Sequence, residues 1–340
     1  MRSGMTEEVF SPNPPLFLSD ADIAELSDIR AAMEAVRTAY YTPEDEDRTP
    51  GRIFAQSAQE WMRIMPSVPA SGRLFGAKSI AGSFASGLSV SYLITLFDKQ
   101  TAELVALLDG NRVTGLRTAA TTAVGASTIL PNKPLSVGVI GSGFEARSHL
   151  QALSHIVRFS TIRVFSPTET NRKAFAQEFH GLNGASATAV SSAEAAVEGA
   201  DLVLCAARSR DETPIIDSRH VGADATVISI GSTTRGQREL PVELIERATT
   251  IVVDTYDEVV HDSGDMIAAR LQDVDLKSKV VTLSAALRGE VPIDKHHGIR
   301  LYKSTGSGLQ DIVVAEMLVN QAHEKNLGVP LPSSIVTTRK

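Results

Sequence analysis

Residues 136–150, SVGVIGSGFEARSHL, decide the fold. Ser136 to Ile140 is a short apolar, β-branched run of the kind a buried strand needs. It leads directly into Gly141-Ser142-Gly143-Phe144-Glu145-Ala146, a G-x-G-x-x-A turn, and then into helix-forming text. In that setting the first glycine permits a tight turn and the second lets the backbone approach a pyrophosphate. Ala146 allows helix and strand to pack closely, and the free amides of the helix N-terminus face the phosphate. The stretch therefore predicts a dinucleotide site on Gly141, Gly143, Phe144, Glu145 and Ala146.

Working outward, strands are expected at 161–165, 187–190, 201–205, 226–230, 250–253 and 280–283, with helices at 172–178 and 193–198 between the first of them. Strands alternating with helices at this spacing imply βαβ units and a parallel sheet, an α/β fold. Upstream, Pro131-Asn132-Lys133-Pro134 marks a break. Before it, Ser19-Asp20 caps an amphipathic helix on which Ile23, Leu26, Ile29, Met33 and Val36 recur every three or four residues. Residues 43–47 read as an acidic loop, 61–66, 88–97 and 104–108 as strands, and 113–130 as a helix of small residues.

Composition narrows the function classes. The 340 residues are 43% hydrophobic and 21% charged, which fits a soluble globular protein of ample core. Net charge is −7 with no basic block, so nucleic acid is excluded as a partner. No apolar run approaches the roughly 20 residues of a membrane helix, and residues 1–15 lack the apolar core of an export signal. Cys205 is the one cysteine, which rules out an intramolecular disulfide and a cysteine metal cage and points to a reducing, cytoplasmic setting. None of the eight histidines has metal-ligand spacing with carboxylates, so no metal is expected. At the end of the second strand, about twenty residues past the glycine turn, NAD-preferring domains place an acid on the ribose 2′-hydroxyl. Ser166 stands there instead, followed by Thr168 and Arg172. These three suit a 2′-phosphate, favouring NADP(H) over NAD(H), although Arg172 also reads as a solvated helix residue.

Further motifs occur in a telling order: Lys78, then Leu108-Asp109-Gly110, then Thr114-Gly115-Leu116-Arg117-Thr118-Ala119-Ala120. After the glycine turn come Ile230-Gly231-Ser232, Arg238-Glu239-Leu240, Val253-Asp254, Ser263-Gly264-Asp265 and Lys303-Ser304-Thr305-Gly306. Over residues 50 to 320 the chain resembles the ornithine cyclodeaminase/mu-crystallin family. The resemblance implies a Rossmann-type doubly wound nucleotide domain at 131–306. It also implies a second α+β domain from both chain ends, 1–130 and 307–340, that binds substrate and forms a homodimer. It carries the grip on a substrate carboxylate onto Arg52, Lys78 and Arg117, and the nicotinamide contact onto Thr305 and Gly306. Ser89 falls where relatives often have a threonine, and reads equally well as a strand serine bonded to backbone.

Two departures from the family pattern set the expected chemistry. Thr233 stands where cyclodeaminases carry an acid/base aspartate; a hydroxyl can orient a nitrogen but cannot shuttle its proton near neutrality. Arg63 stands where they place a glutamate near the substrate amines. A guanidinium there disfavours a diamine and suits a second carboxylate, as in iminosuccinate; pointing to solvent is the other reading. The expected activity is NAD(P)H-dependent reduction of the C=N bond of a small anionic α-imino acid, with Lys78 and Arg117 central and Lys78 or water supplying the proton. The alternatives are an NAD-dependent cyclodeaminase of a diamino acid such as ornithine, and a non-catalytic, mu-crystallin-like nucleotide- or ligand-binding protein.

Overall fold

The computed structural model describes residues 14–207 and 212–338, so the N-terminal segment read for an export signal lies almost wholly outside the described residues. The strands in chain order are β1 (Leu16–Leu18), β2 (Ile53–Gln56), β3 (Glu60–Ser67), β4 (Leu74–Ser83), β5 (Ser89–Asp98), β6 (Leu104–Asp109), β7 (Leu135–Ile140), β8 (Phe159–Phe165), β9 (Ser186–Ala189), β10 (Leu202–Cys205), β11 (Thr226–Ser229), β12 (Ala248–Val253), β13 (Val280–Thr282), β14 (Ile299–Lys303) and β15 (Val329–Pro330). They form two sheets. One runs β15-β1-β6-β5-β4-β3-β2, the other β13-β12-β14-β11-β10-β7-β8-β9.

Every neighbouring pair in the second sheet is parallel. From β7 the chain winds one way through β8 and β9, then returns to β10 and β11 on the other side. That reversal beside β7 is the topological switch point where doubly wound sheets bind ligands, and the glycine turn lies at the carboxyl end of β7.

The other sheet is antiparallel from β2 through β6 and takes β15 from the far end of the chain. Two helices join the halves. Gly110–Ile129, capped by the Asp109 side chain, is buried on nearly every side. Its Ala, Thr and Gly content makes that possible, because there is no bulky polar face to solvate. Gly125 lies flat against the Tyr302 ring of β14, where a Cβ would come within 2.2 Å of the ring. Helix Gly308–Lys325 packs across β3, β4 and β5.

Two expectations change. The helix read from residue 19 to 40 is two helices, Asp20–Leu26 and Ile29–Tyr40, because Ser27 turns extended and Asp28 caps a second start through the Arg30 and Ala31 amides. The central strand β14 was not anticipated. Its sequence, Ile299-Arg300-Leu301-Tyr302-Lys303, has cations at two positions that are fully buried and hydrogen-bonded.

Candidate active site

The glycine turn has the geometry its sequence requires. Gly141 has φ +112°, and a Cβ there would stand 2.7 Å from the Ala206 carbonyl oxygen. Gly143 caps helix Phe144–Leu153 with no side chain of its own, and nothing lies within 4 Å of where its Cβ would be. An open side at a helix N-terminus fits a dinucleotide pyrophosphate. Ala146 is fully buried under the turn. Phe144 is 62% exposed and reaches over Gly115 of the long helix. Glu145 bonds through its backbone carbonyl to the buried His149 ring at 2.7 Å. Burial holds that imidazole below its ordinary pKa.

At the end of β8, Ser142 Oγ donates to Ser166 Oγ at 2.8 Å. Arg172 donates to the Ser166 and Pro167 carbonyls and lies over the Phe165 ring at 5.9 Å. The Thr168 hydroxyl makes no capping bond, and the neighbouring Glu169 is drawn off by Lys173 at 2.6 Å. Ser166, Thr168 and Arg172 are thus together, with no carboxylate of β8 among them.

The substrate-side cations come together on one face of the first sheet. Met65 pairs with Lys78, Lys78 with Ile94, and Arg63 with Ile80. Residues directly opposite share a face and alternate residues return to it, so Arg63 and Lys78 project to the same side. Lys78 is 1% exposed and sits between the two oxygens of Asp311, at 2.8 and 2.7 Å. Burial first, and then the adjoining Arg117 charge, push its ammonium down to about 7 against the pull of Asp311. Arg117 Nε donates to Asp311 Oδ1 at 3.0 Å and Nη1 to Gln310 Oε1 at 2.7 Å. Arg52, just before β2, pairs with Glu258 and donates from Nη2 to the Thr305 and Gly306 carbonyls, each at 3.2 Å.

Arg63 differs from the other three. It has no ion pair among the described residues, its Nε is buried without a hydrogen bond, and its guanidinium lies over Phe54 and Trp61 at 5.8 and 6.0 Å. Burial, then the charge of Arg52, hold its pKa below the usual arginine value. Ser89 is a correction. Tyr92 and Ile94 share the Lys78 face, so Ser89 points to the opposite one, where it is exposed. The structure does not bring it to the cations.

Four hydrogen bonds accepted by Asp254 fix the turn after β14. It receives Ser304 Oγ at 2.7 Å, the Thr305 and Gly306 amides at 3.1 and 2.8 Å, and Gln310 Nε2 at 2.8 Å. Gly306 has φ +80°, and a Cβ there would stand 2.3 Å from Arg117 Nη1, so the turn and the guanidinium touch. Thr233 is partly buried in the turn after β11. That turn is held by the buried Lys303, which donates to the Ser232 carbonyl, Ser229 Oγ and Asp265 at 2.7, 2.9 and 2.8 Å. Glu239 accepts from the Gly231 and Ser232 amides beneath it.

Glu258, Gln310 and Asp311 were not foreseen. The available signal was a Gln-Asp pair in the first turn of the helix, immediately before the apolar run Ile312–Ala315. Among the described residues no group of three or more His, Cys, Asp and Glu is arranged to hold a metal, and no helix is long and apolar enough to cross a membrane.

The model of the ornithine cyclodeaminase/mu-crystallin family matches residues 14–326. The chain belongs to this family. Among curated members, a Delta(1)-pyrroline-2-carboxylate reductase of Bacillus cereus is 26% identical over 272 residues, 78% of this chain and 82% of that one. An iminosuccinate reductase of Paracoccus denitrificans is 28% identical over 235 residues, 69% and 71% of the two chains. Among solved family structures, the Thermococcus litoralis Delta(1)-pyrroline-2-carboxylate reductase in complex with NADH and L-proline superposes with a TM-score of 0.84. It is 26% identical and covers 93% of this chain and 100% of that one.

Proposed function

We propose that the protein reduces the C=N bond of a small α-imino acid with hydride from NAD(P)H. The observation that carries this reading is the pairing of Lys78 and Arg117 on Asp311, in contact with the Thr305–Gly306 turn. A site that combines a carboxylate grip, a lysine poised near neutrality and a dinucleotide turn suits delivery of a hydride and a proton to one C=N bond. Relatives named as pyrroline-2-carboxylate and iminosuccinate reductases support it.

The bound nicotinamide supplies the hydride; the protein supplies alignment and charge. Arg52 and Arg117 offer the substrate carboxylate the guanidinium edges left over from Glu258, Asp311 and Gln310, and Lys78 stands beside Arg117 to serve the imine. Arrival of that carboxylate adds a negative charge beside Lys78 and raises its hold on a proton, which it then passes to the imine nitrogen. Thr233 orients the nitrogen. The cyclodeaminase alternative lacks its acid, since a threonine stands at that position. We assign NADP(H) as the preferred cofactor because Ser166, Thr168 and Arg172 offer donors at the end of β8, β8 itself ends without an acid, and the neighbouring Glu169 is paired with Lys173.

Arg63 refines the substrate to a dicarboxylic imine. Among the described residues it is the one cation of the four without a carboxylate partner, and it faces the same side as Lys78. The uncovered side of the same sheet, where Ile53, Met62 and Leu93 are exposed, supports a homodimer. The single, buried Cys205 supports a reducing, cytoplasmic location.

The test is a spectrophotometric grid. NADPH and NADH are each offered Δ1-pyrroline-2-carboxylate, pyruvate with methylamine, and oxaloacetate with ammonia. The expected result is oxidation of NADPH, fastest with oxaloacetate and ammonia. Arg63→Glu is expected to lower kcat/KM on the dicarboxylate at least tenfold and to spare the monocarboxylates. Ammonia release from ornithine without net NADPH consumption would overturn the reading.

A further inference from the structure

We propose that Gln310 is the positioning residue that registers the substrate-side Arg117 against the cofactor-side turn; the kinetic part of its test rests on the imine reductase reading. Gln310 is fully buried in the first turn of helix Gly308–Lys325, and each polar atom of its side chain is engaged. Oε1 accepts from Arg117 Nη1 at 2.7 Å, while Nε2 donates to Asp254 Oδ2 and to the Tyr40 hydroxyl, both at 2.8 Å. Chemistry fixes this orientation. A guanidinium has only donors and a carboxylate only acceptors, so a flipped amide would set N–H against N–H and oxygen against oxygen.

The partners lie on different parts of the fold. Arg117 belongs to the long helix that follows the first sheet; Asp254 follows β12 of the second and clamps residues 304–306. Gln310 is the link between them. With Nε held by Asp311 and Nη1 by Gln310, Nη2 of Arg117 has no hydrogen-bond partner among the described residues and is left for a ligand. The amide therefore sets which edge of the guanidinium meets a substrate carboxylate, and how far that edge stands from Thr305 and Gly306. Hydride transfer requires reacting atoms about 3–3.5 Å apart, and a displacement of about 1 Å can cost on the order of a hundredfold in rate.

The experiment compares wild-type protein with Gln310→Met, which keeps length and loses all three bonds, and with Gln310→Glu, which keeps the Arg117 bond and sets a carboxylate against Asp254. For both variants kcat is expected to fall at least tenfold and KM for the imine to rise about tenfold. The primary deuterium isotope effect from NADPH deuterated at C4 is expected to grow, while NADPH Kd, read by fluorescence, stays within threefold. A kcat within twofold of wild type would overturn the proposal. So would a matching loss of NADPH affinity and thermal stability, which marks a structural role. Should one variant not fold, the other carries the comparison. If the wild-type protein reduces no imine, the proposed function fails and this inference is read from binding of oxalate to NADPH-loaded protein. Tenfold weaker binding by the variants upholds it, and equal binding overturns it.

Discussion

Lys78 meets opposing demands. Its ammonium is buried against Arg117, which drives the proton off, and against Asp311, which holds it, and the balance falls near neutrality. The unliganded site therefore carries the proton below about pH 7 and loses it above. If Lys78 protonates the imine, kcat/KM is expected to fall as pH rises past 7. Lys78→Arg keeps the charge at every pH and cannot give up its proton. It should abolish that limb and lower kcat by on the order of a hundredfold or more. Profiles from pH 6 to 9 decide it, and a variant that retains the limb would refute the role of Lys78. At this scale the sequence disclosed the cations and not what restrains them. Arg52, Lys78 and Arg117 stand in recognisable strings, but Glu258, Asp311 and Gln310 are about 190 to 230 positions away and meet them only after folding. Ser89 was misplaced for a simpler reason: a shift of one residue along a strand exchanges its faces.

Among the elements, β14 shows how a buried charge hides a strand. Cations at 300 and 303 make the run 299–303 look half-solvated, yet all five residues are buried, because Lys303 has Asp265, Ser229 and the Ser232 carbonyl as partners and Arg300 has the Asp224 and Gly298 carbonyls. The strands and helices around the glycine turn were legible because small and β-branched runs have no such competing reading. The same cluster yields a stability prediction. Glu239 faces Lys303 from β14, Asp265 from the helix Gly264–Leu271, and the Cys205 thiol at the end of β10. Burial pushes its carboxyl up to about 7, against about 4.5 for an exposed one. Between those values the folded chain holds a proton that the unfolded chain releases, so this group's contribution to stability is lost as pH rises from 4.5 through 7. Glu239→Gln cannot titrate. Urea midpoints at pH 5 and 7.5 should lie closer together in the variant than in the wild type, and equal spacing would refute the assignment.

For the whole molecule, the net charge of −7 conceals a local excess of positive charge. Arg52, Arg63, Lys78 and Arg117 gather on one side of the first sheet, and this concentrated positive charge favours a small anion locally against the negative charge of the rest of the chain. The outer face of the first sheet tells of assembly. Ile53, Met62 and Leu93 are 60, 44 and 41% exposed on a face that no helix among the described residues covers. An uncovered apolar sheet face of this kind marks an interaction surface. Leu93→Lys is expected to convert a dimer into a monomer by light scattering while leaving NADPH binding intact. A wild-type protein that is monomeric at micromolar concentration would exclude the dimer.

The helix Gly308–Lys325 comes late in the chain, yet it supplies Gln310 and Asp311 to cations encoded two hundred residues earlier. A ribosome therefore releases Lys78 and Arg117 long before their counter-charge exists, and a growing chain can complete its nucleotide sheet while the substrate pocket is still an assembly of mutually repelling cations. The counter-charge of Lys78 and Arg117 is thus the last part of the pocket to be synthesised. A chain cut short before residue 308 would keep the strands of the dinucleotide fold and lose the catalytic cleft entirely.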